Sequence, residues 1–126
     1  MSWVLLSPEM VEKIHDAVLN PGELQGRARD KSLESALARV DNRLAYGMIE
    51  DVFDLAAVYA AVIARGNYFN DGNKRTAFYT LDAILRLNGI AKNWTTPDIG
   101  DTIIRLAQGN IHDEDLATYL RNHPET

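Results

Sequence analysis

The chain has 126 residues, the length of one domain, and its 46% hydrophobic and 25% charged residues are typical of a globular protein. Its formal net charge of −5 has the wrong sign for binding nucleic acid through phosphate neutralisation. The sequence has no cysteine, which excludes disulfides, a thiolate nucleophile and cysteine-based zinc sites. We therefore expect a single domain over residues 1–126 that does not act on DNA or RNA directly.

The start of the chain, MSWVLLSPEM, lacks the basic residues and the long apolar stretch of a signal peptide. The longest uncharged run, Leu55 to Ala64, has ten residues, whereas crossing a bilayer takes roughly 20. We expect a soluble cytoplasmic protein without a membrane partner.

Capping residues and apolar spacing predict two helices in the first part of the chain. A serine and a proline precede apolar residues at helical spacing, which predicts the first helix over 8–19. A loop rich in glycine and arginine follows. Asp30 is predicted to cap the second helix, which ends around Tyr46.

Four more helices are predicted in the rest of the chain. The segment from Asp51 to Gly66 is apolar nearly all round, so the third helix is predicted to be surrounded by the others. The fourth is predicted from Asn73 to Asn88. The fifth and sixth are predicted to start at Thr96-Pro97-Asp98 and at Asp113. The fold class is therefore all-α, a compact bundle of about six helices.

Chemically useful residues concentrate in the turn between the two most apolar helices. A helix that begins near Asn73 has unpaired N–H groups at its start, and Gly72 lets the backbone approach a phosphate closely. Lys74 and Arg75 add positive charge where the helix dipole disfavours it, unless an anion binds there. Asp71 supplies the hard oxygen ligand that magnesium prefers. Together these residues predict a phosphate and metal site.

A simpler interpretation is that Asp71 caps the helix and that Lys74 and Arg75 are merely solvated. Phe69 favours the first interpretation, because an exposed Phe in a polar turn would forgo about 1.5–3 kcal/mol of burial energy. We therefore expect Phe69 to anchor a fixed loop inside the bundle.

The segment from Asn67 to Phe78 resembles the Fic family motif H-x-F-x-[D/E]-G-N-G-R-x-x-R. Lys74 stands where most Fic proteins have the second glycine, and Phe78 stands where they have the second arginine. Both differences are similar to the Doc branch of the family, whose motif reads F-x-D-x-N-K-R-T. The resemblance extends over most of the chain and implies a Fic-type bundle with the motif loop between two central helices.

The resemblance also implies an activity. Doc-type proteins are toxins of type II toxin-antitoxin modules, and they use ATP and Mg²⁺ to phosphorylate elongation factor Tu and arrest translation. By this likeness Asp71 would hold the metal, and Gly72 and Asn73, including the Asn73 side chain, would bind phosphate. Lys74 and Arg75 would neutralise the charge of the transferred phosphoryl group.

Position 67 departs from the family pattern, because Asn67 stands where the family has its catalytic histidine. An asparagine amide cannot accept a proton near neutral pH, and loss of a general base lowers a rate by about 10² to 10⁴-fold. We therefore expect an impaired protein Ser/Thr kinase with an intact nucleotide site. Either a lineage lost catalysis, or a deliberate His-to-Asn change made a toxic protein producible; the otherwise complete motif favours the second.

Two other functions remain open: a Fic-type adenylyltransferase, and a non-catalytic module that binds an antitoxin. Some Fic proteins inhibit themselves with a helix that carries the motif [S/T]-x-x-x-E-[G/N]. No Ser or Thr in this sequence has Glu four residues later, so we expect no such inhibitory helix here. The resemblance then implies an antitoxin of the Phd type that folds as a helix in a groove. Exposed apolar residues at the N-terminus, Trp3, Val4 and Leu5, are candidates for that groove.

The remaining polar residues carry weaker predictions. The three histidines have no metal-ligand spacing, and His15 is expected to be a packed core residue. The segment 43–51 is either the flap that aligns the target peptide in Fic proteins or a plain connector. Arg27 and Arg29 either dock an acidic partner or are solvated.

Overall fold

The computed structural model describes residues 2–94 and 98–123, and this part of the chain folds into six α-helices without a regular strand. The predicted all-α fold is therefore confirmed. The helices are α1 (Pro8–Val18), α2 (Leu33–Ala45), α3 (Val52–Gly66), α4 (Asn73–Leu87), α5 (Asp98–Ala107) and α6 (Asp113–Asn122).

Helix α3 lies at the centre of the bundle, as its sequence predicts. It packs against α2, α4, α5 and α6, and most of its side chains between Leu55 and Ala64 are buried. A helix that is apolar on every side has no face to offer to water, so the amphipathic helices pack around it. The motif loop, residues 67–72, leaves the end of this central helix and leads directly into α4.

The predicted cap of α2 is wrong. The cap is Ser32, whose hydroxyl accepts a hydrogen bond from the Ser35 N–H at 3.1 Å. Asp30 lies two residues too early and has a left-handed backbone with φ of 64°. From that position its carboxylate does not reach the free N–H groups of the first turn.

The predicted starts of α1, α4 and α6 are confirmed, and the other bounds differ from prediction by at most two residues. Helix α1 ends at Val18 rather than at residue 19, and α4 ends at Leu87, with Asn88 as its C-cap. Helix α5 begins at Asp98, and the predicted start signal Thr96-Pro97 lies outside the described residues. None of the helices described is long and apolar enough to cross a membrane.

Candidate active site

The motif loop is held along its backbone by the loop between α1 and α2. The Asn70 N–H donates to the Gly26 carbonyl at 3.1 Å, and the Ala28 N–H donates to the Tyr68 carbonyl at 2.7 Å. Arg27 and Phe69 face each other in an isolated antiparallel bridge. The two loops therefore form a short two-stranded contact that limits how far the motif can move.

Asn67 ends α3 in a left-handed conformation, with φ of 50° and ψ of 48°. Its side chain is exposed and makes no hydrogen bond to any described residue. The preceding Gly66 leaves room for the Tyr68 ring, because a Cβ there would lie 1.8 Å from that ring and would force it to move. The chain thus turns sharply at position 67 and presents that side chain to solvent.

Phe69 fixes the middle of the motif loop. Its ring is 2% exposed, so it lies inside the bundle. The Asn73 side chain binds the Phe69 backbone at both polar groups: its Oδ1 accepts from the Phe69 N–H at 3.0 Å, and its Nδ2 donates to the Phe69 carbonyl at 2.9 Å. The Asn73 side chain therefore fixes the loop backbone, and one of its two amide hydrogens is already donated to Phe69.

Helix α4 begins without a side-chain cap. Its N-cap, Gly72, has φ of 79°, and its first turn contains no acidic residue. Within the described residues, no acceptor takes the N–H groups of Gly72, Asn73 and Lys74. Unpaired amides at the positive end of a helix attract anions.

Asp71 does not cap α4, so the simpler interpretation of its role is wrong. Its Oδ2 accepts a hydrogen bond from the Leu24 N–H at 2.8 Å, while its Oδ1 has no partner among the described residues. No cluster of three or more potential metal ligands occurs in the described part of the chain. One carboxylate with a free oxygen nevertheless fits Mg²⁺, which is commonly held by one or two carboxylates together with substrate phosphates.

The two cations of the motif lie in different environments. Lys74 is exposed and has no hydrogen bond or ion pair within the described residues. Arg75 donates to the Val18 carbonyl at 3.0 Å and pairs with Glu23 at 2.7 Å. The Arg75 guanidinium and the Asn20 N–H hold the pKa of the Glu23 carboxyl below its usual value. Lys74 is thus the cation left open for an external anion.

Phe78 forms part of an apolar wall beside these cations. It is half-buried and contacts the Tyr79 ring edge to face, with 5.0 Å between the ring centroids. A cleft of about 410 Å³ runs between α4 and α5 at this place and is lined by Lys74, Arg75, Phe78, Tyr79, Ile99, Gly100, Ile103 and Ile104. The cleft is therefore lined by both cationic and apolar side chains.

The sequence did not indicate that the α1–α2 loop belongs to the site. Glu23 pairs with Arg75, and the Leu24 N–H donates to Asp71, although each pair is about 50 positions apart in the sequence. No pattern in the sequence around Glu23 and Leu24 indicates these contacts. Arg27 is not simply solvated, because it forms ion pairs with Glu12 and Glu34. Of the two arginines considered in this loop, only Arg29 has no partner among the described residues.

The histidines form no metal site in the described chain. His15 is fully buried, as predicted. His123 contacts the Asn93 carbonyl at 2.9 Å, and His112 precedes α6, where its N–H donates to the Asp115 carboxylate.

The connection between α2 and α3 has an anchored side and an exposed side. Ile49 is buried, while Tyr46 and Met48 are exposed, with 81% and 64% of their surfaces accessible. The Met48 N–H donates to the Arg43 carbonyl at 2.9 Å. A fixed connection that presents two large side chains to solvent is compatible with a flap as well as with a plain connector.

Two comparisons with known proteins show the family of this chain. A model of the Fic/DOC family matches residues 5–85, which include α1 to α3, the motif loop and most of α4. The chain is also 37% identical over 117 residues to "Protein kinase doc" of Escherichia phage P1, and the match covers 92% of each chain. On both grounds, this chain belongs to the Fic/Doc family.

Proposed function

We propose that this protein is a Doc-type toxin that transfers the γ-phosphoryl group of ATP to a hydroxyl of elongation factor Tu in the cytoplasm. The observation that carries the proposal is the open start of α4, where unpaired N–H groups lie close in sequence to Asp71 and Lys74. The similarity to a protein kinase of the family supports the reaction type. Phosphorylation of this factor would arrest translation.

The proposal assigns the nucleotide phosphates to the amides of Gly72 and Asn73. These N–H groups need no rearrangement to bind an anion, because no described residue accepts from them. Asp71 would hold Mg²⁺ through its free Oδ1. When bound, the ion supplies neutralisation of the charge on the phosphate oxygens.

The cationic groups favour transfer of the terminal phosphoryl group over transfer of AMP. The Fic motif has a second arginine at the position of Phe78, but Phe78 lies in the apolar wall. Lys74 would contact the transferred group, while Arg75 shares its guanidinium with Glu23. With one arginine fewer, and a lysine in place of the second glycine, the site is less suited to the Fic mode of phosphate binding.

Asn67 makes the protein as it stands a poor catalyst. Its amide takes no proton from a target hydroxyl, so the expected rate is about 10² to 10⁴-fold below that of a histidine form. Histidine, like asparagine, is enriched in left-handed backbone, so the turn at position 67 accommodates either residue.

The proposed inhibitory partner is an antitoxin of the Phd type that binds as a helix. The N-terminal segment offers apolar surface for it: Val4 and Leu5 are exposed, while Trp3 is half-buried against the core. A helix that lays its apolar face on such a surface would gain energy from burying both.

The test uses the Asn67→His variant, purified elongation factor Tu, and ATP labelled separately on the α or the γ phosphate. We expect γ label on the factor, with Asn67→Ala as the matched control that lacks a base. Incorporation of α label would instead show an adenylyltransferase. If the histidine variant neither labels the factor nor slows growth, the non-catalytic antitoxin-binding module becomes the better assignment.

A further inference from the structure

His15 contacts the motif from a different element, helix α1. Its side chain is 0% exposed, and its Nε2 lies 2.7 Å from the backbone carbonyl oxygen of Asp71. A carbonyl oxygen only accepts hydrogen bonds, so Nε2 must carry the proton and donate it.

The His15 ring is fixed on its other sides as well. It stacks on Phe69 with 3.8 Å between the centroids and 8° between the planes. Its Nδ1 lies 3.2 Å from the Asp16 carboxylate. Since rotating the ring would break the hydrogen bond to Asp71 and the stacking on Phe69, the Nε2–H is held in one direction.

The bond to Asp71 also sets the direction of the Gly72 N–H, because both groups belong to one peptide unit. In a trans peptide the C=O and the following N–H lie in one plane and point in opposite directions. With the Asp71 carbonyl directed at α1, the Gly72 N–H is directed away from it. A Cβ on Gly72 would lie 3.7 Å from the ring carbon Cδ2 of His15, so the two residues are close neighbours.

We propose that His15 is a positioning residue of the phosphate site: its Nε2–H holds the Asp71–Gly72 peptide so that the Gly72 N–H is aimed at a nucleotide phosphate. The inference rests on the proposed function, since it needs a nucleotide to bind at the start of α4. It gives the buried histidine a role beyond filling the core.

The test compares the affinity of the protein for ATP with Mg²⁺, measured by calorimetry, in the parent and in three variants. His15→Leu removes the donor, and His15→Gln keeps an N–H at a similar reach. Val11→Ala is the control, because Val11 is also fully buried and lies one turn earlier in α1 without a hydrogen bond to the motif. All are measured below their unfolding temperatures.

We expect His15→Leu to weaken nucleotide binding about tenfold, the effect of one lost hydrogen bond to a charged group. His15→Gln should stay within about threefold of the parent, and Val11→Ala should bind like the parent. A second readout is amide hydrogen exchange without nucleotide, which should accelerate from Phe69 to Gly72 in His15→Leu only. If His15→Leu does not fold, His15→Asn, whose donor is too short to reach Asp71, replaces it.

Other results would overturn the inference. Parent-like affinity in His15→Leu would leave the histidine no role beyond packing. Equal losses in the Leu and Gln variants would show that the shape of the ring matters and its donor does not. A parent that binds no nucleotide would instead refute the proposed function, which separates the two failures.

Discussion

Helices α3 and α4 pack against each other, but their starts are built in opposite ways. At the start of α3, the Asp51 side chain accepts from the Asp54 N–H at 2.9 Å. The Asp54 carboxylate accepts in turn from the Glu50 N–H at 3.0 Å, and Arg121 of α6 pairs with both aspartates. The protein itself supplies the negative charge that this helix start attracts.

The start of α4 lacks all of these features. Its cap is Gly72, its first turn has no acid, and the carboxylate nearest in sequence, Asp71, is turned toward the Leu24 N–H. Lys74 adds positive charge without a partner in the described residues. The fold thus closes one helix start with its own anions and leaves the other without one.

The largest effect is expected when an acidic residue, like those at the start of α3, is introduced into the first turn of α4. Lys74→Glu would place a carboxylate in the first turn, which favours the helix dipole by about 0.3–1 kcal/mol. The same change removes a cation from the proposed phosphate site, which should weaken binding of ATP with Mg²⁺ by roughly 10 to 150-fold. Calorimetry and urea unfolding should therefore show opposite signs: weaker binding and higher stability.

Lys31→Glu is the matched control for this variant. Lys31 is exposed, has no described partner and gives the same change in net charge. It should leave nucleotide affinity unchanged. Equal losses of affinity in both variants would mean that net charge, rather than the start of α4, attracts the nucleotide.

A smaller effect is expected at the closed helix start. Asp51→Ala removes the cap of α3 and should lower the free energy of unfolding by about 0.5–2 kcal/mol. Nucleotide affinity should not change, because Asp51 lies at the far end of α3 from the motif loop. Urea unfolding with and without ATP and Mg²⁺ measures both quantities. A specific loss of nucleotide binding in this variant would contradict the division of roles between the two helix starts.

The sequence predicted the central helix and the start of α4 because both depend on local signals. A fully apolar run predicts a surrounded helix, and the residues from Gly72 to Arg75 share one turn. The resemblance to the family motif added roles in phosphoryl transfer for these residues, which the local sequence signals do not specify.

The partners of those residues could not be predicted in the same way. Glu23 and Leu24 lie in a loop without periodicity, so no pattern shows which distant groups they bind. For His15 the sequence predicted burial, but its bond to Asp71 depends on how α1 packs on α4. The cap of α2 was misassigned because Asp30 and Ser32 are both suitable types, and only the backbone conformation distinguishes them.

The smallest effect is expected in how the free energy of unfolding depends on pH through Asp51, the cap of α3. Burial alone would raise the pKa of the Asp51 carboxyl, but hydrogen bonds from Arg121 and the Asp54 N–H hold it below its usual value of 3.8. As the pH falls, the unfolded chain therefore takes up this proton first. The stabilisation by Asp51 is complete above about pH 5 and is lost as the pH drops through the pKa of the folded protein.

Asp51→Asn tests this dependence, because asparagine still caps the helix but does not titrate. The difference in free energy of unfolding between the parent and this variant should shrink as the pH falls from 6 to about 3, measured by urea unfolding. Its size should stay below about 1 kcal/mol, because the Arg121 and Asp51 side chains are 40% and 39% exposed. Asp30→Asn is the control, since Asp30 is exposed and has no described partner, and it should show no such trend. A constant difference for Asp51→Asn across the pH series would mean that Arg121 does not hold the charge of this helix cap in solution.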